Sequence, residues 1–520
     1  MPPKQMYAWL LYGAGMENFG KGKKPVRVPV PDYDDDELLA RVDACGLCFS
    51  DIKLIKAGGA HPRMHGRDLK ADPTVPGHEV VLTIVGVGDS LKARFFVGQR
   101  FIVQADIFYR GTNCAFGYML KGGLEQYVVL GEEVLRGDDG CYLIEVKEET
   151  GSAESCLTEP WACVNASYQN RRRSEIKKDG KILIINGGRP KTIQAVQYLS
   201  VEELLRLDEK EKFDDIIFYD PPSPLHVTQA SKQLNNGGVL ALVMADELSG
   251  DDPEFDMGRI HYDRISIYAG RTVEEAYSKA KRSELKSKGA ALFVGAGGPM
   301  GQMHVLRALM LSDPPSKIVY TDISDERLAV LERNIGSVSG IELYAVNPHS
   351  RNDPSTELLN VTNGKGFADI VVLVPSAPLI SEISHLLAPD GVLNIFAGLL
   401  RGTYGRLSVN AILHRSVSYI GRSGSSIADL EKTLELVESG RIPANKSVAA
   451  IGGIFAVWEA IKGVTEGAFI GKVVIYPNLE RLPLTKISDT KERIPEIYDR
   501  LVDGIFWSND AEKILFEKYK

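Results

Sequence analysis

Residues 291–311 read ALFVGAGGPMGQMHVLRALML. A short apolar run of strand type meets Gly295, Gly297, Gly298 and Gly301, and the residues after them carry apolar positions at helical spacing. Strand, glycine-rich turn and helix in that order form the junction at which a backbone can approach a pyrophosphate. The free N–H groups and the positive end of the helix meet the phosphate charge there. Counted from Gly295, the spacing is one residue longer than G-x-G-x-x-G. The next strand pattern, KIVYTDISDERL, ends in Asp322, where a carboxylate can accept hydrogen bonds from both ribose hydroxyls and repel a 2′-phosphate. These features predict a dinucleotide site that prefers NAD(H) to NADP(H).

Working outward, apolar strand runs alternate with helical stretches from about residue 178 to 425, which predicts βα units on a parallel sheet. The region is internally repeated. GKILIINGGRPKTIQAVQYL from Gly180 resembles GAALFVGAGGPMGQMHVLRAL from Gly289, and FDDIIFYDPPSP from Phe213 resembles FADIVVLVPSAP from Phe367. NGGVLALVM pairs with PDGVLNIFAG, and DRISIYAGRT with RSVSYIGRSG. The first pair is offset by about 110 residues and the later ones by about 150, so the first copy is short by roughly one strand-helix-strand step. Its turn, INGGRPKTI, puts Arg189, Pro190 and Lys191 where the helix begins. It is expected to lack the segment bearing the ribose carboxylate, to bind no dinucleotide and to pack against its twin.

A chain of 520 residues exceeds what one hydrophobic core supports and predicts two to four domains. The net charge of −8 argues against nucleic acid or an anionic membrane as the main partner. No stretch approaches the roughly 20 apolar residues of a membrane helix, and the N-terminus lacks the form of a cleavable signal; a cytoplasmic location is expected. All six cysteines (Cys45, Cys48, Cys114, Cys141, Cys156 and Cys163) fall in the first third, and in a large acidic chain they suggest reduced thiols or a metal rather than disulfides.

Up to about residue 165 the pattern is short strands and glycine-rich turns, a β-rich region. Within it DACGLCFSDIKLIKAG, residues 43–58, sets two cysteines three apart. Such a pair can hold a structural metal, form a redox couple, or supply one ligand to a catalytic metal. A catalytic zinc needs about three N, S or O ligands and an open position, so its ligands can be scattered along the chain. Cys48, His78 and Glu79 in VPGHEVV, and Glu159 in LTEPWACV are the candidates.

CGLCFSDIK, PGHEVVLTIVGVG, VGQRFIV, GGLEQYVVL, TEPWACV, the glycine turn and the closing GAFIGKVVIYP occur in an order that resembles the zinc-dependent medium-chain dehydrogenase/reductase superfamily. HPRMHGRDL, GGPMGQMHV and NIFAGLLRGT are most similar to its polyol and sugar-phosphate branch, which includes sorbitol dehydrogenase and L-sorbose-1-phosphate reductase. The resemblance covers nearly the whole chain except the inserted first copy and, with the internal repeat, implies an α/β plus β-rich fold: a GroES-like catalytic domain at 1–177, an NAD-binding Rossmann domain at 281–427 and a return to the catalytic domain plus a helical tail at 428–520, with the repeat supplying a degenerate Rossmann-like copy at 178–280. It implies Cys48 and not Cys45 as a zinc ligand, His78 as the second, and Glu79 or Glu159 as the third. Asp51 would orient an imidazole, and Ser50 would take the substrate's proton. Pro299, Met300, Val374 and Pro375 would join the glycines and Asp322 around the cofactor.

Two departures stand out. Only Cys114 follows VGQRFIVQAD where the superfamily often has four cysteines, so no structural zinc is expected beside the one catalytic ion. Lys53 replaces a common relay histidine and faces solvent or a substrate anion. The implied chemistry is reversible oxidation of a secondary alcohol on a small polyol, sugar or sugar phosphate, with Arg63, Arg67, Arg110, Lys121 and Arg401 as candidate phosphate partners and a dimeric or tetrameric homo-oligomer expected. A zinc-free NAD(P)H reductase of the same superfamily and a non-catalytic binding protein are the competing readings. The tail from Leu482 has helical apolar spacing suited to packing on the surface or on a partner subunit.

Overall fold

The computed structural model describes residues 2–187, 196–279 and 282–519, so the first copy's Arg189, Pro190 and Lys191 lie outside the described residues. The chain forms two units, 1–165 with 424–520, and 166–423. Residues 166–177 group with the second unit. Tyr168 Oη bonds His304 Nδ1, Asn394 Nδ2 donates to the Ser167 carbonyl, and Arg172 donates to the Arg282 carbonyl. Among the described residues no helix is long and apolar enough to cross a membrane.

Unit 1 is built on a largely antiparallel sheet whose central strand, Leu38–Gly46, pairs with Glu79–Val87 on one side and with Lys472–Tyr476 on the other. The register sets Gly46 across from both Glu79 and Val474. Three segments far apart in sequence therefore converge at the end of one strand, and the C-terminal part of the chain completes the sheet that its beginning starts. The core below contains Trp9, Phe19, Leu54, Phe116 and Ile475, all essentially inaccessible to solvent. The tail is clamped to this unit: Glu512, in the helix Asn509–Tyr519, accepts the N–H groups of Ser152 and Ala153 and the hydroxyl of Tyr476.

Unit 2 carries two parallel sheets. In the first, β1 (Ile182–Ile185), β2 (Val196–Leu199), β3 (Phe213–Tyr219), β4 (Leu234–Val243) and β5 (Ser266–Gly270) lie in the order β2-β1-β3-β4-β5. In the second, β6 (Ala290–Val294), β7 (Lys317–Thr321), β8 (Glu342–Val346), β9 (Phe367–Val372), β10 (Leu387–Ile395) and β11 (Ser418–Gly421) lie in the order β8-β7-β6-β9-β10-β11. Continuous apolar runs such as Ile182–Ile185 suit strands buried on both faces. Among the described residues the first sheet reproduces the second without β8.

One expectation needs correction. The first copy keeps its second strand and a short helix after it, Val201–Leu204; among the described residues it lacks the third strand and one of the two helices that flank that strand in the second copy. Ile185 pairs with Leu199 as Val294 pairs with Thr321, so Ser200 occupies the register position of Asp322. The carboxylate is replaced by a hydroxyl on a retained strand.

The repeat extends to side-chain detail. Arg173 donates to the Asp215 carboxylate at 2.8 Å, and the Lys177 N–H donates to the same carboxylate at 3.0 Å. In the second copy Arg282 and the Lys286 N–H make the same pair of bonds to Asp369. The facing edges β5 and β11 are related reciprocally. The helix Met257–Tyr262 packs against β11 and the helix Val409–Arg415 against β5, while the short strands Glu254–Asp256 and Tyr404–Arg406 pair antiparallel, one from each copy. This is an isologous arrangement inside one chain.

Candidate metal centre and dinucleotide turn

In unit 1 the ligand atoms of Cys48, His78 and Glu79 all lie within 4.8 Å of one another. Cys48 immediately precedes α1 (Phe49–Ala57), and His78 and Glu79 stand at the start of the strand Glu79–Val87. Asp51, in the first turn of α1 and fully buried, ties these segments together. Its Oδ2 accepts the Cys48 N–H at 2.9 Å, and its Oδ1 accepts the Gly77 N–H and meets His78 Nδ1, both at 3.1 Å. With Nδ1 turned to Asp51, Nε2 is the imidazole atom left for a ligand. Burial disfavours a charged His78, but Asp51 and Tyr118 outweigh it and hold its pKa well above the ordinary histidine value.

Glu79 is fully buried. One carboxylate oxygen pairs with Lys472 Nζ, and Oε2 has no hydrogen-bond partner among the described residues. A Cβ at Gly46 would stand 2.2 Å from Oε2, so the glycine of DACGLC makes room for this carboxylate. An orphaned carboxylate oxygen beside a thiol and an imidazole is the environment that a divalent cation satisfies, and the donor set fits zinc. Glu159 lies outside the three-residue cluster. It interacts electrostatically with His78, Glu79 and Lys472, and accepts a hydrogen bond from Cys163 Sγ at 3.4 Å; desolvation raises its carboxyl pKa. Ser50 is half-buried in the first turn of α1.

Cys45 is not part of the cluster. It is fully buried, its Sγ packs where side chains at Gly77 or Gly123 would otherwise fall, and burial pushes its thiol well up. Sequence reasoning missed Lys472. Burial disfavours its ammonium, yet Glu79 more than compensates and its pKa rises. The available signal was a lysine heading an otherwise apolar strand, KVVIY.

In unit 2 the turn after β6 leads into α2 (Pro299–Leu309). Gly295 has φ +80°, and a Cβ there would strike Val374, in the loop after β9. Strand order reverses between β6 and β9, the position at which open α/β sheets form their binding crevice. Gly298 precedes α2 with no side-chain cap and with open space where its Cβ would be, leaving first-turn N–H groups available to an anion. A side chain at Gly301 would collide with the backbone of Ala296. Asp322 follows β7, and its carboxylate accepts the N–H groups of Gly297 and Ser324, both at 3.0 Å. Each oxygen retains further acceptor capacity. Pro299 and Met300 are half-buried in the first turn of α2, Val374 is half-buried, and Pro375 is exposed.

Residues 34–136 match the alcohol dehydrogenase GroES-like domain. Over almost its full length the chain is similar to mannitol-1-phosphate 5-dehydrogenase of Aliivibrio fischeri, 24% identical across 96% of each chain, and to L-sorbose 1-phosphate reductase of Klebsiella pneumoniae, 25% identical across 95% of each. Its fold is similar to that of 2R,3R-butanediol dehydrogenase from Bacillus subtilis, with TM-score 0.55 and 16% identity over 91% of this chain and all of that one (100%). The chain thus contains an alcohol dehydrogenase GroES-like domain, is similar along nearly its full length to two dehydrogenases or reductases of phosphorylated polyols and sugars, and shares the fold of a solved butanediol dehydrogenase.

Proposed function

We propose that the protein is a zinc-dependent, NAD(H)-linked dehydrogenase that interconverts a secondary alcohol and a ketone on a polyol, sugar or sugar phosphate. The observation that carries the reading is the convergence of Cys48, His78 and a buried Glu79 whose Oε2 has no partner. Cys48, His78 and either Glu79 or Glu159 would hold the zinc, and the Gly295–Gly301 turn with Asp322, Val374 and Pro375 would hold the dinucleotide. When bound, the metal would supply Lewis acidity to the substrate oxygen, and the nicotinamide a hydride acceptor.

The chain's own side chains do the rest. Asp51 holds His78 Nδ1, so that Nε2 is the nitrogen that would face the metal, its proton leaving as the metal binds. Lys472 holds one oxygen of Glu79 and leaves the other for a ligand. Ser50 accepts the alcohol proton. Asp322 presents negative charge where a 2′-phosphate would otherwise sit, which favours NAD(H).

The test is metal content together with NAD(H) turnover on free and phosphorylated polyols, for the parent and for Cys48→Ser. Bound zinc and metal-dependent turnover, both lost in the variant, are the expected result. Full activity without metal would replace this reading with the zinc-free reductase. Absence of both NADH binding and metal would leave a non-catalytic protein.

A further inference from the structure

The first copy has Ser200 at the register position of Asp322, yet its helix Met257–Tyr262 reaches the dinucleotide crevice of the second copy. The connection can be followed from Gly295, where a Cβ would strike Val374. Two residues before Val374, the Val372 carbonyl accepts the N–H groups of Phe396 at 3.1 Å and Ala397 at 2.9 Å. The loop after β10, FAGLLRGT at 396–403, therefore starts at the wall of that crevice. From there it runs onto the first copy.

The helix Met257–Tyr262 and its two flanking aspartates hold the loop at four successive residues. A Cβ at Gly258 would stand 2.5 Å from the Leu400 carbonyl oxygen, so a glycine is what lets the loop backbone lie this close. Arg401 donates to Asp263 Oδ1 from Nε at 2.9 Å and from Nη2 at 2.7 Å, and its guanidinium carbon lies 5.1 Å from the ring centroid of Tyr262. The Gly402 N–H donates to Asp256 Oδ2 at 2.7 Å, and the Met257 N–H donates to the Thr403 carbonyl at 2.9 Å. All four contacts cross from one copy to the other.

The holding groups are themselves fixed. Asp263 is buried and also accepts Arg259 Nε at 2.9 Å, while Arg259 Nη2 donates to the Leu234 carbonyl at the head of β4. His261 Nδ1 donates to the Ile395 carbonyl at 3.1 Å, just ahead of Phe396, whose ring centroid lies 4.4 Å from that of His304 in α2. A loop anchored in this way has already given up most of the conformations that a free loop samples. Its ordering is then not charged against a ligand that binds beside it.

We propose that the first Rossmann-like copy is a platform for the dinucleotide crevice of the second, with Gly258, Asp263 and Arg401 as positioning residues that set the loop 396–403 in its binding conformation. They act through the loop backbone and touch no reacting atom. The proposal rests on the dinucleotide reading of the Gly295–Gly301 turn.

Full-length parent is compared with Arg401→Met, Arg401→Lys and Gly258→Ala, and with Arg173→Met, which unclamps Asp215 in the same copy and leaves the four loop contacts in place. NADH affinity is measured by calorimetry, and amide hydrogen exchange over 396–403 is followed in the free protein. The Arg401 side chain is 53% exposed, so its replacement leaves the fold intact. Arg401→Met and Gly258→Ala are expected to weaken NADH binding by about tenfold and to speed exchange in the loop. Arg401→Lys should recover part of the affinity, and Arg173→Met should leave both readings near those of the parent. Unchanged NADH affinity in Arg401→Met and Gly258→Ala overturns the platform. An equal loss in Arg173→Met also overturns it, because the effect would then be one of general stability. A parent that binds no NADH, with loop exchange still governed by Arg401, rejects the dinucleotide reading and reduces the clamp to a packing contact.

Discussion

A single carboxylate, that of Asp51, stands 3.1 Å from His78 Nδ1 and also caps the backbone N–H of Cys48. It orients one candidate ligand and fixes the chain at another, and it does so from the first turn of the helix that Cys48 begins. Asp51→Asn keeps the shape but removes the charge that steadies the imidazole. Zinc affinity should fall by about 10–100-fold with little change in secondary structure. Competition with a chromophoric chelator measures the affinity directly, and an unchanged constant would mean that the backbone alone positions His78.

Lys472 and Glu79 form a pair almost wholly removed from solvent, their side chains 4% and 0% exposed. Lys472→Met leaves the Glu79 carboxylate buried without its cation, a change that typically costs about 3–5 kcal/mol. The metal-free variant should therefore unfold at clearly lower denaturant than the parent. Added zinc should recover more stability in the variant than in the parent, because the cation supplies the missing charge. Equal responses to zinc in the two proteins would show that Glu79 does not meet the ion.

Much of this architecture was readable in the sequence, because strand-turn-helix periodicity is local and the glycine spacing states its own geometry. The repeat was legible for the same reason. Its sharpest signal, RSEIKKDG at 173–180 against RSELKSKG at 282–289, lies just before the strands and has meaning only once Asp215 and Asp369 are known to face those arginines. Lys472 was not legible, because its partner lies 393 positions away and only the return of the chain beside Leu38–Gly46 joins them. The retained strand Val196–Leu199 was hidden by its brevity, and the role of Gly46 by the fact that what it admits comes from the neighbouring strand.

The two arginine clamps differ in one respect that predicts unequal costs. Asp215 also accepts the Tyr277 hydroxyl at 2.5 Å, whereas Asp369 relies on Arg282 and the Lys286 N–H. Removing the arginine should leave Asp369 the poorer served of the two. Arg282→Met is expected to destabilise the protein by about 3 kcal/mol or more, and Arg173→Met by distinctly less. Denaturant melts of the two variants decide the matter; the reverse order would mean that the tyrosine contributes nothing to holding Asp215.

Glu125 offers a pH test independent of the metal. Its side chain is buried, Oε1 has no partner among the described residues, and burial lifts its pKa to about 8 against a smaller opposing effect of Lys121. The folded protein thus holds a proton there that the unfolded chain, with a carboxyl near the ordinary value of about 4.3, has already released at neutral pH. The folded pKa is raised, so the contribution to stability is fully present below the unfolded value and is lost as pH rises toward 8. Glu125→Gln replaces the neutral acid with a neutral amide of the same shape and removes that titration. Between pH 5 and pH 8.5 the melting temperature of the parent should fall more steeply than that of the variant, so Gln at this position becomes relatively stabilising at the alkaline end. Parallel curves would place the Glu125 proton in the unfolded chain as much as in the folded one, and its burial would then carry no pH dependence.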